Sequence, residues 1–293
     1  MSDSSFYQQR KKPMQSRLYK KTYTEEIFWG ADLRNAAMEG AELRDADLLE
    51  ANLQNAVLWK ANLQGADFWK ANLANAVLME ANLRDADMQR TDLRNANLRD
   101  ACMVGANLQG ANIQGANLQG ANLSGANLQG ANLSGANLSG ANLSGANLQL
   151  AVLGKADLQN AVLRKADLWR ADCSEADFQG ANLQEADLTG ANLQKAVLWK
   201  ACLRDADLWR ANLCEAILES ADLRNALLLG ATLMGAKLQK ARGLTAMQLS
   251  EARTLYRAEF SVKLRIQLFR ECPHLLERHE AAFTAYVLSP AIF

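Results

Sequence analysis

Histidine is nearly absent from this 293-residue chain: His274 and His279 are the only two, both near its end. The five cysteines, Cys102, Cys173, Cys202, Cys214 and Cys272, form no CxxC pair. Without an HExxH helix, a Cys/His cluster or a Ser/His/Asp set, the sequence is expected to be no enzyme and to hold no metal or cofactor. The cysteines read as reduced, small apolar residues in a chain too large to depend on disulfides. Net charge is also missing, since 32 basic residues balance 32 acidic ones. Bulk electrostatics therefore draw in neither nucleic acid nor an anionic membrane. No stretch approaches the ~20 apolar residues that span a bilayer. The N-terminus, MSDSSFYQQRKKPMQ, lacks the apolar core of a signal peptide, so a cytoplasmic protein is expected.

What the chain does have is a repeat. From Phe28 to Leu238 an apolar residue falls at every fifth position, giving 43 units without an insertion. Leucine takes this centre in 35 units; Phe28, Met38, Phe68, Met88, Met103, Ile113, Cys173 and Phe178 take the rest. Two residues earlier comes alanine in 41 of the 43, with Glu26 and Thr91 the exceptions. A period of five suits neither an α-helix, where it steps the leucines ~140° around the axis, nor a strand, where an odd period flips them between faces. A chain that turns one corner per unit keeps every centre inside, stacked on its neighbour at the ~4.8 Å spacing of hydrogen-bonded strands. Glycines at the unit ends are then corner residues, placed where the backbone needs positive φ or close approach.

The outward residues indicate how many units close a coil. Tryptophan follows the centre at Trp29, Trp59, Trp69, Trp169, Trp199 and Trp209, all separated by multiples of ten, and arginine in that slot falls mostly on the alternate units. LRDAD recurs at Leu43, Leu83 and Leu203, offsets of 40 and 120. Both patterns suit a 20-residue coil of four units.

The motif A-[N/D]-L-x-x, present as ANLQG, ANLSG, ADLWR and AVLWK, resembles the pentapeptide-repeat family over residues 26 to 240 without a break. The resemblance implies an all-β solenoid, a right-handed quadrilateral parallel β-helix with the centre and the preceding alanine inside. At 20 residues per coil it has about eleven coils and a length of about 50 Å. Stability is then nearest-neighbour, and the end coils need covers.

The expected organisation is a basic N-terminal arm or cap over 1–25, the repeat over 26–241, and a helical C-terminal cap over 242–293. Thr245 with Gln248 resembles a capping box opening a short helix through about Arg253. TLYRAEF can add a last edge strand. Ser261 can N-cap a helix to about Glu271, although the alternation of Phe260, Val262, Leu264, Ile266 and Leu268 also permits a strand over 255–271. Pro273 suits the start of a final helix with Leu275, Leu276, Ala282, Phe283 and Tyr286 on its apolar side. C-terminal helices of this kind also mediate dimerisation in some members of the family, so this segment is a candidate homodimer contact.

Departures from the polar outward pattern mark the candidate sites. On one face Val57, Trp59, Val77 and Met79 stand where the motif expects polar residues, and Val197, Trp199 and Ile217 repeat the strip seven coils later. On the opposite face Trp29, Leu49 and Trp69, then Trp169, Trp209 and Leu229, make a second pair of strips. Exposed aromatics beside Lys60 and Lys200 have the composition of interface hot spots; the same residues also suit coil-on-coil ladders supported by lysine and arginine stems. Between the strips, residues 101–154 carry no charge. The expected function is a non-enzymatic protein-binding scaffold or regulator, in keeping with cytoplasmic family members that are abundant in cyanobacteria and include modulators of cell differentiation. The alternative that the resemblance implies is protection of DNA gyrase by a dimeric rod that mimics duplex DNA. Mimicry requires dense negative charge, whereas residues 27–240 carry 19 basic and 24 acidic side chains.

Overall fold

The computed structural model describes residues 27–277. The basic arm at 1–25 and the Ala282, Phe283 and Tyr286 positions of the expected final helix lie outside the described residues. Parallel backbone bridges join residues twenty apart through the repeat, as Ile27 to Asp47, Asn52 to Asn72 and Val197 to Ile217. Twenty residues therefore make one turn, and four units make four sides. Each side contributes one bridging residue rather than a strand, because turn and inward positions use up the other four.

Within a unit the backbone bonding follows one pattern. The centre N–H donates to the bridging residue's carbonyl one coil on (Leu53 to Asn72, 2.7 Å), and the corner N–H donates to the next coil as well (Asn55 to Ala74, 3.0 Å). The bridging N–H reaches back to an alanine carbonyl (Asn72 to Ala51, 2.9 Å), and alanine N–H closes the turn on the preceding centre (Ala56 to Leu53, 2.9 Å). The fifth N–H, on the residue after the centre, has no backbone acceptor. An asparagine or aspartate at the bridging position supplies one: Asn52 Oδ1 accepts from Gln54 at 3.2 Å, Asp67 from Trp69 at 2.9 Å, Asn137 from Ser139 at 2.9 Å. Every unit from Asp32 to Asp222 with Asn or Asp there makes this bond. Short polar side chains that bond the local backbone two residues on are the stock braces of turns, which explains the [N/D] of the motif.

The second residue after the centre sits in the left-handed region at the corners, from Gly30 at φ 62° to Gly235 at φ 67°, whether or not it is glycine; Lys195 has φ 57° and Leu150 φ 58°. A left-handed third residue is what a type II turn requires. A side chain there costs about 1–2 kcal/mol.

The centres and alanines form one continuous buried cluster from Phe28 to Leu275. Each buried leucine contributes about 2 kcal/mol of gross hydrophobic stabilisation. Thr91, which replaces an alanine, is fully buried, and its hydroxyl donates to the Phe68 carbonyl at 2.9 Å, so the exception leaves no polar group unpaired.

After Leu238 the rhythm ends at Gly243, φ 82°. Helix α1, Ala246–Ser250, opens on the Thr245–Gln248 capping box and stops short of Arg253. Gln248 Nε2 also donates to the Leu223 and Ala226 carbonyls, and Ala226 has no bridging amide one coil on to bond it. Thr254 and Glu259 then bridge Thr232 and Lys237 in parallel, placing TLYRAEF along the edge as expected. Helix α2, Val262–Glu271, starts from an N-cap at Ser261, which resolves the helix-or-strand alternative in favour of the helix. Pro273–Leu276 is a 3-10 turn.

Two substitutions test this backbone account. A Cβ at Gly243 meets Arg224 backbone atoms at 2.5 Å. Gly243→Ala is therefore expected to destabilise the protein by about 2 kcal/mol or more. Lys195→Gly relieves a left-handed lysine at an exposed corner and is expected to stabilise by about 0.5–1 kcal/mol. Denaturant midpoints measured for both variants check the signs.

Candidate functional site

The 20-residue turn sorts the tryptophans onto two opposite faces. Face A carries Trp59 and Trp199 in one column; face B, half a coil away, carries Trp29, Trp69, Trp169 and Trp209. On face A the structure joins Val57 to Val77 and Val197 to Ile217 as bridge partners, so each strip is a stacked pair in adjacent coils. None of these four bridging residues can supply the turn acceptor, and the N–H groups of Trp59, Met79, Trp199 and Glu219 go without it. The face A strips thus give up a local bond worth about 0.5–1.5 kcal/mol per unit.

Exposure is uneven. Val57 is 36% exposed, whereas Trp59, Val77, Met79, Val197, Trp199 and Ile217 are half-buried against their own ladders. On face B, Trp29, Trp209 and Leu229 are exposed, and Leu49, Trp69 and Trp169 half-buried. The strips present ring and methyl edges rather than whole side chains.

Five of the six tryptophans carry a cation supplied by the very next residue. Lys60 Nζ lies 4.6 Å from the Trp59 ring centre, Lys70 3.9 Å from Trp69, and Lys200 3.8 Å from Trp199. The guanidinium carbons of Arg170 and Arg210 lie 5.2 and 4.4 Å from Trp169 and Trp209. Each of these cations occupies a left-handed corner. Such pairs are worth about 0.5–1 kcal/mol in solvent. The Trp-[Lys/Arg] dipeptide is the sequence signal for this pairing.

The two halves of the rod differ electrostatically. Lys60 pairs with Glu80 at 3.4 Å, where Glu80 also accepts from the Trp59 indole, and Lys70 pairs with Glu50 at 4.0 Å. Lys200, Arg170 and Arg210 make no ion pair among the described residues. A partner's carboxylate can therefore be met at the C-terminal half without breaking an internal bond. Nothing in either strip is a nucleophile with a base beside it. Cys214 is buried and its thiol is pushed up to about 11, chiefly by that burial, and burial likewise raises the thiol of the centre residue Cys173. Neither thiol is disposed to act as a thiolate nucleophile. Among the described residues, no group of three or more His, Cys, Asp or Glu could hold a metal ion, and no helix is long and apolar enough to cross a membrane.

The profile of pentapeptide repeats matches the chain in eight copies, over residues 28–59, 61–100, 101–140, 131–170, 171–210 and 210–242. The chain belongs to the pentapeptide-repeat family. Among solved structures, it shares 34% identity with HetL, a pentapeptide-repeat protein involved in heterocyst differentiation regulation in the cyanobacterium Nostoc sp. strain PCC 7120. That match covers 78% of this chain and 94% of HetL at a TM-score of 0.35. QnrB1, a plasmid-mediated fluoroquinolone resistance protein, matches at 16% identity over 67% of this chain and 97% of its own, TM-score 0.40. Rfr23 from the cyanobacterium Cyanothece 51142 matches at 39% identity over 31% of this chain and 58% of its own, TM-score 0.20. No curated protein matches the chain. Pentapeptide-repeat members are generally structural or binding proteins, and the two strips are departures from the family's polar outward pattern.

Away from the strips, three aspartates bond the arginine two residues on. Arg34, Arg94 and Arg224 hold the Asp32, Asp92 and Asp222 carboxyls below the usual carboxylate range, chiefly through the side-chain hydrogen bond. A depressed carboxylate contributes stability that is present above its ordinary range and lost as pH falls through its folded value. A triple Asp32→Asn/Asp92→Asn/Asp222→Asn variant keeps the Oδ1 turn acceptors and removes the titration. Its melting temperature is expected to fall less steeply than that of the parent protein as pH drops from 5 through the carboxylate range, as read by circular dichroism.

Proposed function

We propose that this pentapeptide-repeat protein is a non-enzymatic protein-binding scaffold or regulator that engages a partner through its tryptophan and valine strips. In this reading the repeat is a rigid right-handed quadrilateral rod of about eleven coils, closed by the segment after residue 241. The observation that carries it is the stacking of Val57 on Val77 and of Val197 on Ile217 beside a tryptophan, which doubles an apolar surface where the turn brace is given up; single units such as Cys102, Val152 and Val162 give up the brace between polar neighbours. Departures from a local rule concentrate at functional sites. A DNA-mimicking action on gyrase fits less well, because the rod is near neutral and eight of its acidic side chains pair with arginine or lysine within it.

A pull-down from source cells compares the parent protein with Trp59→Ser/Trp199→Ser. Loss of specific partners in the variant is expected, and an unchanged partner set counts against the strips.

The C-terminal segment supports a second contact, a homodimer. Val262, Ile266 and Phe269 form an i, i+4, i+7 stripe on α2 and are 77%, 50% and 70% exposed. An apolar helix stripe of this kind is the form of a helix-pairing face. Light scattering is expected to give the mass of a dimer for the parent protein and of a monomer for Ile266→Asp/Phe269→Asp. A monomeric parent protein removes the proposal.

A further inference from the structure

All six tryptophans fall into three pairs at one offset: Trp29 with Trp169, Trp59 with Trp199, and Trp69 with Trp209, each 140 residues apart. That offset is seven whole turns of the 20-residue coil, so the members of a pair stand at the same angle around the rod. At ~4.8 Å per coil they are about 34 Å apart. The relation is a translation along the axis. A partner with two-fold symmetry presents its two sites in opposite directions and cannot meet both in the same way, whereas one continuous element along the axis can.

Face A has the space for one. Between Trp59 and Trp199 runs a shallow groove of about 510 Å³. Its near end is the Arg99–Asp100 pair, 3.1 Å apart, and Asp157 and Asn160 border its far end. Glycine corners at Gly120 and Gly140 and the side chains of Gln119 and Ser139 line it between these ends. Nothing lies within 4 Å of a Cβ built at Gly140, so the corner is open there. Between the Arg99–Asp100 pair and Asp157 the lining carries no charge, so a segment crossing that middle part meets no ionic cost of desolvation there.

The groove favours a helix over an extended peptide. Most of the rod's backbone groups are committed to adjacent coils, which leaves the corner carbonyls, such as those of Gly120 and Gly140, and the side-chain amides and hydroxyls to face outward. These recur every ~4.8 Å, out of step with the ~6.6 Å two-residue repeat of an extended chain. A helix satisfies its own backbone and needs only side-chain contacts.

We propose that face A is a cradle for one amphipathic α-helix of a partner protein, lying along the groove. It has an uncharged middle and an apolar anchor at each end, one on the Val57–Trp59 strip and one on the Val197–Trp199 strip. The anchors are about 22 residues apart at 1.5 Å per residue, and a carboxylate near the second anchor meets Lys200. This proposal rests on the strip reading and adds the spacing, the orientation and the form of the partner.

The test is selection from a phage-displayed library of helix-forming peptides. Each peptide carries two Leu or Phe anchors, separated by about 12 to about 26 residues, with uncharged residues between them. The parent protein is expected to enrich separations near 22, and Trp59→Ser and Trp199→Ser are each expected to weaken the selected peptides about tenfold or more. Deleting one coil, residues 121–140, keeps the angular register and is expected to move the preferred separation to about 19; inserting a second copy of that coil moves it to about 25. Should the deletion misfold, the insertion carries the same readout. The cradle is overturned by no enrichment, by enrichment independent of separation, or by an optimum that neither coil change moves. Peptides that need one tryptophan and ignore separation overturn the cradle while leaving the strips as binding surface.

Discussion

The backbone bond between a residue and its counterpart one coil on governs the rest of this structure. Because it recurs at every unit, the chain must turn a corner every five residues, and the corner must be left-handed at its third residue. The inward positions then have no freedom: the centre and the alanine are sealed between coils at nearly zero exposure from Met38 to Leu238. Four of the five amides in a unit are satisfied by backbone. Selection on the outward face is left with one structural task, supplying an acceptor for the fifth.

That single task explains why some exceptions carry information and others do not. Thr91 breaks the alanine rule, yet its hydroxyl finds the Phe68 carbonyl and the fold absorbs it. Cys173 breaks the leucine rule and remains fully buried. Val57, Val77, Val197 and Ile217 break the [N/D] rule and leave an amide without its brace, so their return has to come from the ladder they build or from a partner. The cations over the rings sharpen the choice. Five of the six rings are supported by the residue next in sequence, and at the C-terminal half that support retains open charge for another molecule.

The repeat, the coil length, the inward residues and the corner positions were legible in the sequence because each is written 43 times, and a period of five admits few solutions. The capping box at Thr245 and the N-cap at Ser261 were legible as local motifs. The form of residues 255–271 was not, because Phe260, Val262, Leu264, Ile266 and Leu268 satisfy strand alternation as well as a helix face. The structure decides by pairing Thr254 and Glu259 with the last coil and starting α2 behind Ser261. The strip residues were identifiable as exceptions, but their half-burial was not: exposure depends on the side chains one coil above and below, twenty residues away in sequence. The groove beside Gly120 and Gly140 was hidden for the same reason, since it exists only where coils with short corners stack.

The central claim is that an Asn or Asp at the bridging position braces the one amide per unit that the backbone leaves unpaired, and that the face A strips forgo this brace. Amide hydrogen exchange resolved by residue tests it most directly. The amides of Trp59, Met79, Trp199 and Glu219 are expected to exchange faster than those of Trp69, Gln89, Trp169 and Trp209, which occupy the same slot in units braced by Asp67, Asp87, Asp167 and Asp207. Equal protection in the two sets contradicts the account.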